Sequence, residues 1–171
     1  FTLGDGNDVI NELANEGTDT VKSSVSHILA AEVENLTLAG ATAINGTGNA
    51  LANVIVGNTA ANILSGGLGN DTLDGGKGAD KLTGGDGSDH FLHHSLADGK
   101  DTITDFHTGP GGDVLDISDM LVGYTAGHET EFVECVVGAT STTVKVDADG
   151  LANGAKFTDV CVLTGVTTDL A

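Results

Sequence analysis

Asp71, Asp80 and Asp89 each hold the sixth place of a nine-residue unit, in "GGLGNDTLD", "GGKGADKLT" and "GGDGSDHFL". Every copy reads G-G-x-G-x-D-x-U-x, where U is Leu73, Leu82 or Phe91. Carboxylates at fixed intervals suit two chemistries, acid–base catalysis and cation binding. A catalytic pair needs one carboxyl pushed up in pKa by apolar burial. These carboxylates sit in glycine turns, which points to a metal. Two of them about 5 Å apart repel by less than ~1 kcal/mol in water and by ~3 kcal/mol at the effective dielectric of a protein surface. A divalent cation between the turns reverses that sign. Hard oxygen donors in adaptable geometry favour Ca²⁺ over Mg²⁺, which keeps its waters and demands a tight octahedron. Two aspartates cannot supply six or more ligands, so main-chain carbonyls must contribute. Glycine allows the positive φ that aims them at one point.

The elements that place these residues follow from the same period. Position one is Gly48, Gly57, Gly66, Gly75 and Gly84, and position eight is Ile55, Leu64, Leu73, Leu82 and Phe91. A short fixed period predicts a solenoid. Each x-U-x is a short strand with U facing inward. One unit cannot enclose a core, but two can, as thin parallel sheets about 10 Å apart. Alternate units then share an edge, so Asp71 neighbours Asp89, and Asn62 neighbours Asp80. The two earliest units carry Asn49, Asn58, Leu51 and Ala60 at positions two and four, and Asn53 and Asn62 at position six. They read as turns that stack without a full metal site.

Composition agrees. Twenty-five Asp plus Glu against six Lys give a net charge of −19, with 26 glycines and no Trp. Nucleic acid and anionic membranes are poor partners for such a surface, so no nucleic-acid partner is expected, and divalent cations are good ones. No stretch approaches the ~20 apolar residues of a membrane span, so no membrane insertion is expected. The chain starts at Phe1 inside an interrupted motif and reads as part of a longer protein. Residues 1–45 form a β-rich lead-in with one partial repeat, "LGDGNDVIN", followed by "TDTVKSSVSHIL" and "VENLTLAG". Residues 46–92 hold the repeats. Residues 93–171 lose the beat and read as turn-rich strands that cap the solenoid, with a helical turn near Asp119 to Val122. Cys135 and Cys161 lie in strand-like segments; neighbouring strands would allow a disulfide, and otherwise both are thiols.

The three full repeats resemble the RTX (repeats-in-toxin, hemolysin-type) calcium-binding proteins. "GKDTITDFHTGPGGDVLDISDML" resembles the segment that follows the repeats in proteins exported by type I secretion. "TTVKVDADG" and "VLTGVTTDL" resemble the end of such regions, and "NEGTDTVKSSVSHILAAEVENLTLAGATAINGTGNALANVIVGN" resembles the lead-in of large bacterial surface proteins and adhesins. The resemblance implies an all-β fold, a parallel β-roll between a β-rich lead-in and a C-terminal cap. It also implies Ca²⁺ held by Asp71, Asp80 and Asp89 with main-chain oxygens at Gly67, Gly69, Gly76, Gly78, Gly85 and Gly87. Leu3 stands where the first glycine of an early repeat belongs, and Asn53 and Asn62 where Asp belongs.

Other carboxylates differ in how well their positions suit a ligand. Asp8 in "GDGND" fits position six but needs a partner turn, and Asp101 in "DGKDTIT" would close the edge begun by Asp80. Asp113 and Asp116 in "GGDVLD" suit ligands and solvated turn residues equally. "DADG" (Asp147–Gly150) is a hairpin turn, because an EF-hand would place Lys145 at its first position and Lys156 at its twelfth. His90, His93 and His94 read as solvated side chains at the end of the roll, and "HETEF" at His128 lacks the second histidine of a zinc motif. With no nucleophile elbow, Cys/His pairing or P-loop, no enzyme active site is expected.

The expected function is an extracellular, calcium-binding structural module that folds on Ca²⁺ after type I secretion, within a bacterial adhesin or cell-surface protein. Two alternatives are a self-associating block of a matrix fibre or surface layer, and the folding module of a secreted hydrolase.

Overall fold

The computed structural model describes residues 1–3, 10, 12–13, 17–121, 123, 132–150 and 156–167. The strands, numbered in chain order, fall into two sheets. In the first, β1 (Thr2–Leu3), β2 (Thr20–Ser23), β4 (Asn35–Leu38), β6 (Val54–Val56), β8 (Thr72–Asp74), β10 (His90–Leu92) and β12 (Val114–Asp116) lie side by side, all parallel. In the second, β3 (His27–Ile28), β5 (Gly46–Thr47), β7 (Ile63–Leu68), β9 (Lys81–Asp86), β11 (Asp101–Ile103) and β15 (Thr158–Thr164) are also parallel. There β14 (Ser141–Val146) and β13 (Val133–Val137) extend the sheet antiparallel. The chain alternates between the sheets through the repeats, which makes it a parallel β-roll.

Register confirms the two-unit turn. Ile55 pairs with Leu73 and Leu73 with Phe91 in the first sheet, while Leu64 pairs with Leu82 in the second. Both sheets continue upstream of the repeats: Val21 pairs with Leu36 and Leu36 with Ile55 in the first, and Ile28 pairs with Thr47 in the second. The solenoid therefore persists where the glycine pattern is absent, because inward apolar residues and parallel pairing suffice to stack a turn.

Inward alternation builds the core. Val21, Leu36, Ile55, Leu73 and Phe91 from one sheet meet Leu64, Leu82, Ile103 and Leu163 from the other, all buried. Leu29, Val33, Leu38 and Ile44 fill corners on the N-terminal side, where the chain has side chains in place of glycine. At the other end Phe91 stacks against Phe106 with ring centroids 6.0 Å apart. Met120 closes over the core from a 3-10 turn at Ser118–Met120, where a helical turn was expected. Burial contributes roughly 1.5–3 kcal/mol per large apolar side chain, a thin margin with one such residue per nine.

Cys135 and Cys161 remain thiols. Val144 on β14 lies between them in register, opposite Cys135 on one side and Cys161 on the other. Two strand spacings are about 10 Å, beyond the ~7 Å Cα limit of a disulfide. Burial, helped by the nearby Asp101 charge, pushes the Cys161 thiol up to about 12. It stays protonated and packs as an apolar residue.

Leu73→Ala should lower unfolding free energy in calcium by about 2–5 kcal/mol. Leu68→Ala, at an exposed turn position, should cost under about 0.5 kcal/mol. Urea denaturation of both variants in calcium measures the difference, and equal losses would contradict the assigned inward face.

Candidate metal centre

The two edges of the roll carry two ladders of side chains. On one edge the Asn53 amide N–H donates to Asp71 Oδ1 (2.7 Å), that of Asp71 to Asp89 Oδ1 (2.8 Å), and that of Asp89 to Asp113 Oδ1 (2.9 Å). On the other, the Asn62 N–H donates to Asp80 Oδ1 (2.7 Å) and that of Asp80 to Asp101 Oδ1 (2.9 Å). Each carboxylate thus accepts from the turn before it and stands over the carboxylate of the same edge. Asp71–Asp89 and Asn62–Asp80 are the neighbours that the nine-residue period predicted.

Only one oxygen of each internal carboxylate is satisfied. The Oδ2 atoms of Asp71, Asp80 and Asp89 are buried and find no hydrogen-bond partner among the described residues. Burial is the main cause that raises Asp71 and Asp80 to about 6. The charge of Asp89 raises Asp71 further, and those of Asp101 and Asp74 raise Asp80. Asp89 is raised for the same reason, with the charges of Asp113 and Asp105 adding to its burial. A buried carboxylate oxygen without a partner costs several kcal/mol as an anion. That cost is of the same order as what the one apolar residue of the same repeat returns. A cation fits this deficit in both sign and donor chemistry.

Glycine shapes the cradle in two ways. A Cβ at Gly66 would collide with Asp71 Oδ2, one at Gly75 with Asp80 Oδ2 and one at Gly84 with Asp89 Oδ2. Position one must therefore be glycine because the position-six side chain folds back onto its Cα. At positions two and four, Gly67 and Gly69 take φ values of 120° and 100°, the left-handed side of the map that costs glycine little. Carbonyls there face the following turn: a Cβ at Gly85 would strike the Gly67 oxygen, and one at Gly87 the Gly69 oxygen. Gly76 and Gly78 lie likewise over the Asn58 and Ala60 backbone. Oxygens from stacked turns thus crowd the same edge as the carboxylates.

The ladders end differently from their middles. Asp101 gives its second oxygen to His93 Nδ1 at 3.0 Å, and both are buried. Its place above Asp80 is the one expected, but unlike the internal three it has no oxygen to spare. His93 was expected to be solvated and is not, because the last carboxylate of that edge needs a donor. His90 is exposed as expected, and His94 is exposed between Asp119 (2.7 Å) and Asp74 (3.4 Å). Asp113 has a side chain only 1% exposed, and its Oδ2 accepts from the His107 N–H at 2.7 Å. It is a ladder member and not a solvated turn residue. Asp116 instead accepts the Ser118 N–H at 2.9 Å, two residues on, at the entry to the 3-10 turn. Asp105 accepts from both Gly84 and Gly85 N–H groups, a role that spacing does not reveal, since Asp105 lies outside any repeat. Asp8 and His128 lie outside the described residues, and the Asp147–Gly150 turn closes with a 3.2 Å bond from the Gly150 N–H to the Asp147 oxygen.

The comparisons with known proteins fit this geometry. The family model of the RTX calcium-binding nonapeptide repeat, four copies long, matches residues 47–82 and again 56–91. Residues 47–91 are RTX calcium-binding repeats, wound here into a parallel β-roll. The chain is also similar to the solution structure of the AlgE6R3 subunit from the mannuronan C5-epimerase of Azotobacter vinelandii. The identity is 27%, with a TM-score of 0.50, over 94% of this chain and 79% of that one. No curated protein matches the chain. The RTX repeats make Ca²⁺ the ion for this donor set of carboxylate and carbonyl oxygens.

The raised carboxyls set a pH dependence. Between the ordinary carboxyl value of 3.8 and about 6, Asp71 and Asp80 of the metal-free roll hold protons that the unfolded chain has released. The stabilisation from the protonated form is full below the lower value and lost as pH rises through the upper one. Calcium affinity must run the opposite way, since the held form is ionised. Between pH 7.5 and pH 5 the calcium association constant should fall roughly tenfold for each titrating carboxylate. Calorimetric titration at the two pH values checks this, and equal affinities would contradict the burial of these oxygens. Gly66→Ala should weaken calcium binding in the same assay by displacing Asp71.

Proposed function

We propose that the RTX β-roll makes this chain a calcium-dependent structural module of a bacterial protein that works outside the cell. The observation that carries this reading is the set of three buried carboxylate oxygens, at Asp71, Asp80 and Asp89, with no hydrogen-bond partner among the described residues. Asp71, Asp80 and Asp89 would hold the ion, with main-chain oxygens at Gly67, Gly69, Gly76, Gly78, Gly85 and Gly87 completing the oxygen set. Bound calcium supplies the positive charge that offsets stacked carboxylates. Asp101 shares its edge with Asp80 and would contribute through its charge, since His93 occupies its second oxygen.

A net charge of −19 opposes compaction of the metal-free chain. In the low-calcium cytoplasm the three aspartate repeats from Gly66 onward stay extended, a state suited to type I export. Outside, calcium at ten times the dissociation constant of a weak extracellular-type site adds ~1.4 kcal/mol per site. Several such sites decide whether a core this thin persists. The lead-in and cap segments support a place near the C-terminus of a large adhesin or surface protein, with residues 1–45, 46–92 and 93–171 as its three parts. No catalytic role is assigned to the chain. The likeness to a subunit of an epimerase favours a second reading, the accessory module of a secreted enzyme.

Circular dichroism of the chain during calcium titration tests the proposal. Strand signal should grow with micromolar to millimolar calcium and not with equal magnesium. A full strand signal in chelator, unchanged by calcium, would overturn it. Electron microscopy of the loaded chain should show single particles, whereas fibres would favour the self-assembling alternative.

A further inference from the structure

The first two repeats are built on a different sentence from the last three, and their side chains do a different job. They read G-N-x-x-x-N, as "GNALAN" (Gly48–Asn53) and "GNTAAN" (Gly57–Asn62). Asn53 Nδ2 donates to the carbonyls of Val33 (3.2 Å) and Glu34 (3.1 Å) in the turn below, while its Oδ1 accepts the Asn49 N–H at 2.7 Å. Asn62 Nδ2 donates to the Ile44 carbonyl, and its Oδ1 accepts the Asn58 N–H at 2.8 Å. Asn49 and Asn58 complete the clasp. Asn49 Nδ2 donates to the Ala30 and Val33 carbonyls, and Asn58 Nδ2 to that of Thr42. Their own Oδ1 atoms accept the Leu51 and Ala60 N–H groups.

Donor and acceptor needs therefore close within the chain at these turns. An amide suits the site because the turn below presents carbonyl oxygens there, whereas a carboxylate would set oxygen against oxygen. Position one stays glycine in both units, since a Cβ at Gly48 or Gly57 would meet the Asn53 or Asn62 Oδ1. The fold-back is thus common to all five repeats, and only the need for a cation differs. The same end of the roll has the denser core, with Leu29, Val33, Leu38 and Ile44 buried beside the inward strand residues.

We propose that the Asn49–Asn53 and Asn58–Asn62 clasps make the N-terminal end of the roll independent of calcium, a standing foothold on which the Asp71, Asp80 and Asp89 turns assemble when the ion is held. This rests on the reading that those three aspartates hold calcium. It gives the roll a polarity that the uniform nine-residue period conceals. Calcium dependence begins at Gly66, and residues 35–64 stand without it.

Hydrogen–deuterium exchange of the whole chain, in chelator and in calcium, tests the proposal. In chelator, peptides from 35–64 should exchange at least tenfold more slowly than those from 66–105. In calcium both sets should be protected. Equal, rapid exchange of both sets in chelator, with joint protection by calcium, would overturn the foothold and leave the calcium reading standing. Exchange unaffected by calcium anywhere would remove both. Asn53→Asp should abolish the protection of 35–64 in chelator, with protection of 66–105 in calcium as the check that the variant folds. Unchanged protection in chelator would contradict the role given to the amide.

Discussion

Parallel strands stack about 4.8 Å apart, and a nine-residue repeat with an acid at its sixth place must therefore stack its acids at nearly that spacing. The rest of this protein answers that constraint. Hydrogen bonds from the preceding turn satisfy one oxygen of each internal carboxylate, but the other is buried without a partner among the described residues. Repulsion of ~3 kcal/mol per neighbouring pair at an effective dielectric near 20 is comparable with the ~1.5–3 kcal/mol that one buried leucine returns. Neither term dominates by itself, so the balance is set from outside, by the ion.

Function follows from that balance. A core of one apolar residue per nine would be a defect in a protein that had to be stable everywhere. Under the proposed function, in which the chain meets little calcium before export and more after it, such a core is an asset, because a modest ligand term can tip it. The ends of the ladders are fitted to the same logic. Towards the C-terminus, Asp101 is met by His93 and Asp113 by the His107 N–H, so the last carboxylates do not face an open edge unpaired. Asp105 ties the final glycine turn through the Gly84 and Gly85 N–H groups. These contacts join the roll to the strands that follow it, where β15 continues the second sheet beside β11.

Much of this was legible in the residues because the period is strict. Equal spacing of Leu64, Leu73, Leu82 and Phe91 predicted the inward face, and equal spacing of the aspartates predicted which of them share an edge. The loss of period hid what came next. The ladder partners step by 18 residues from Asn53 through Asp89, then by 21 from Asp80 to Asp101 and by 24 from Asp89 to Asp113. Inserted residues between turns break the count, so Asp113 resembled any turn aspartate and His93 any surface histidine. Position-one glycine did leave a signal, since it persists in the asparagine repeats where no carboxylate cage is needed. Its cause, a side chain folded onto its Cα, is a contact that spacing cannot show. The stacking of β2 and β4 onto the roll was likewise hidden, because those turns replace glycine with buried Leu29, Val33 and Ile44.

The central claim is that stacked carboxylates weaken this roll without a cation and strengthen it with one. Melting temperatures of the native chain and of an Asp71→Asn/Asp80→Asn/Asp89→Asn variant, each in chelator and in calcium, address it directly. The account predicts a crossing: the variant melts higher than the native chain in chelator and lower in calcium. A variant that melts lower in both conditions would contradict it, for the aspartates would then be stabilising the roll with no ion to hold.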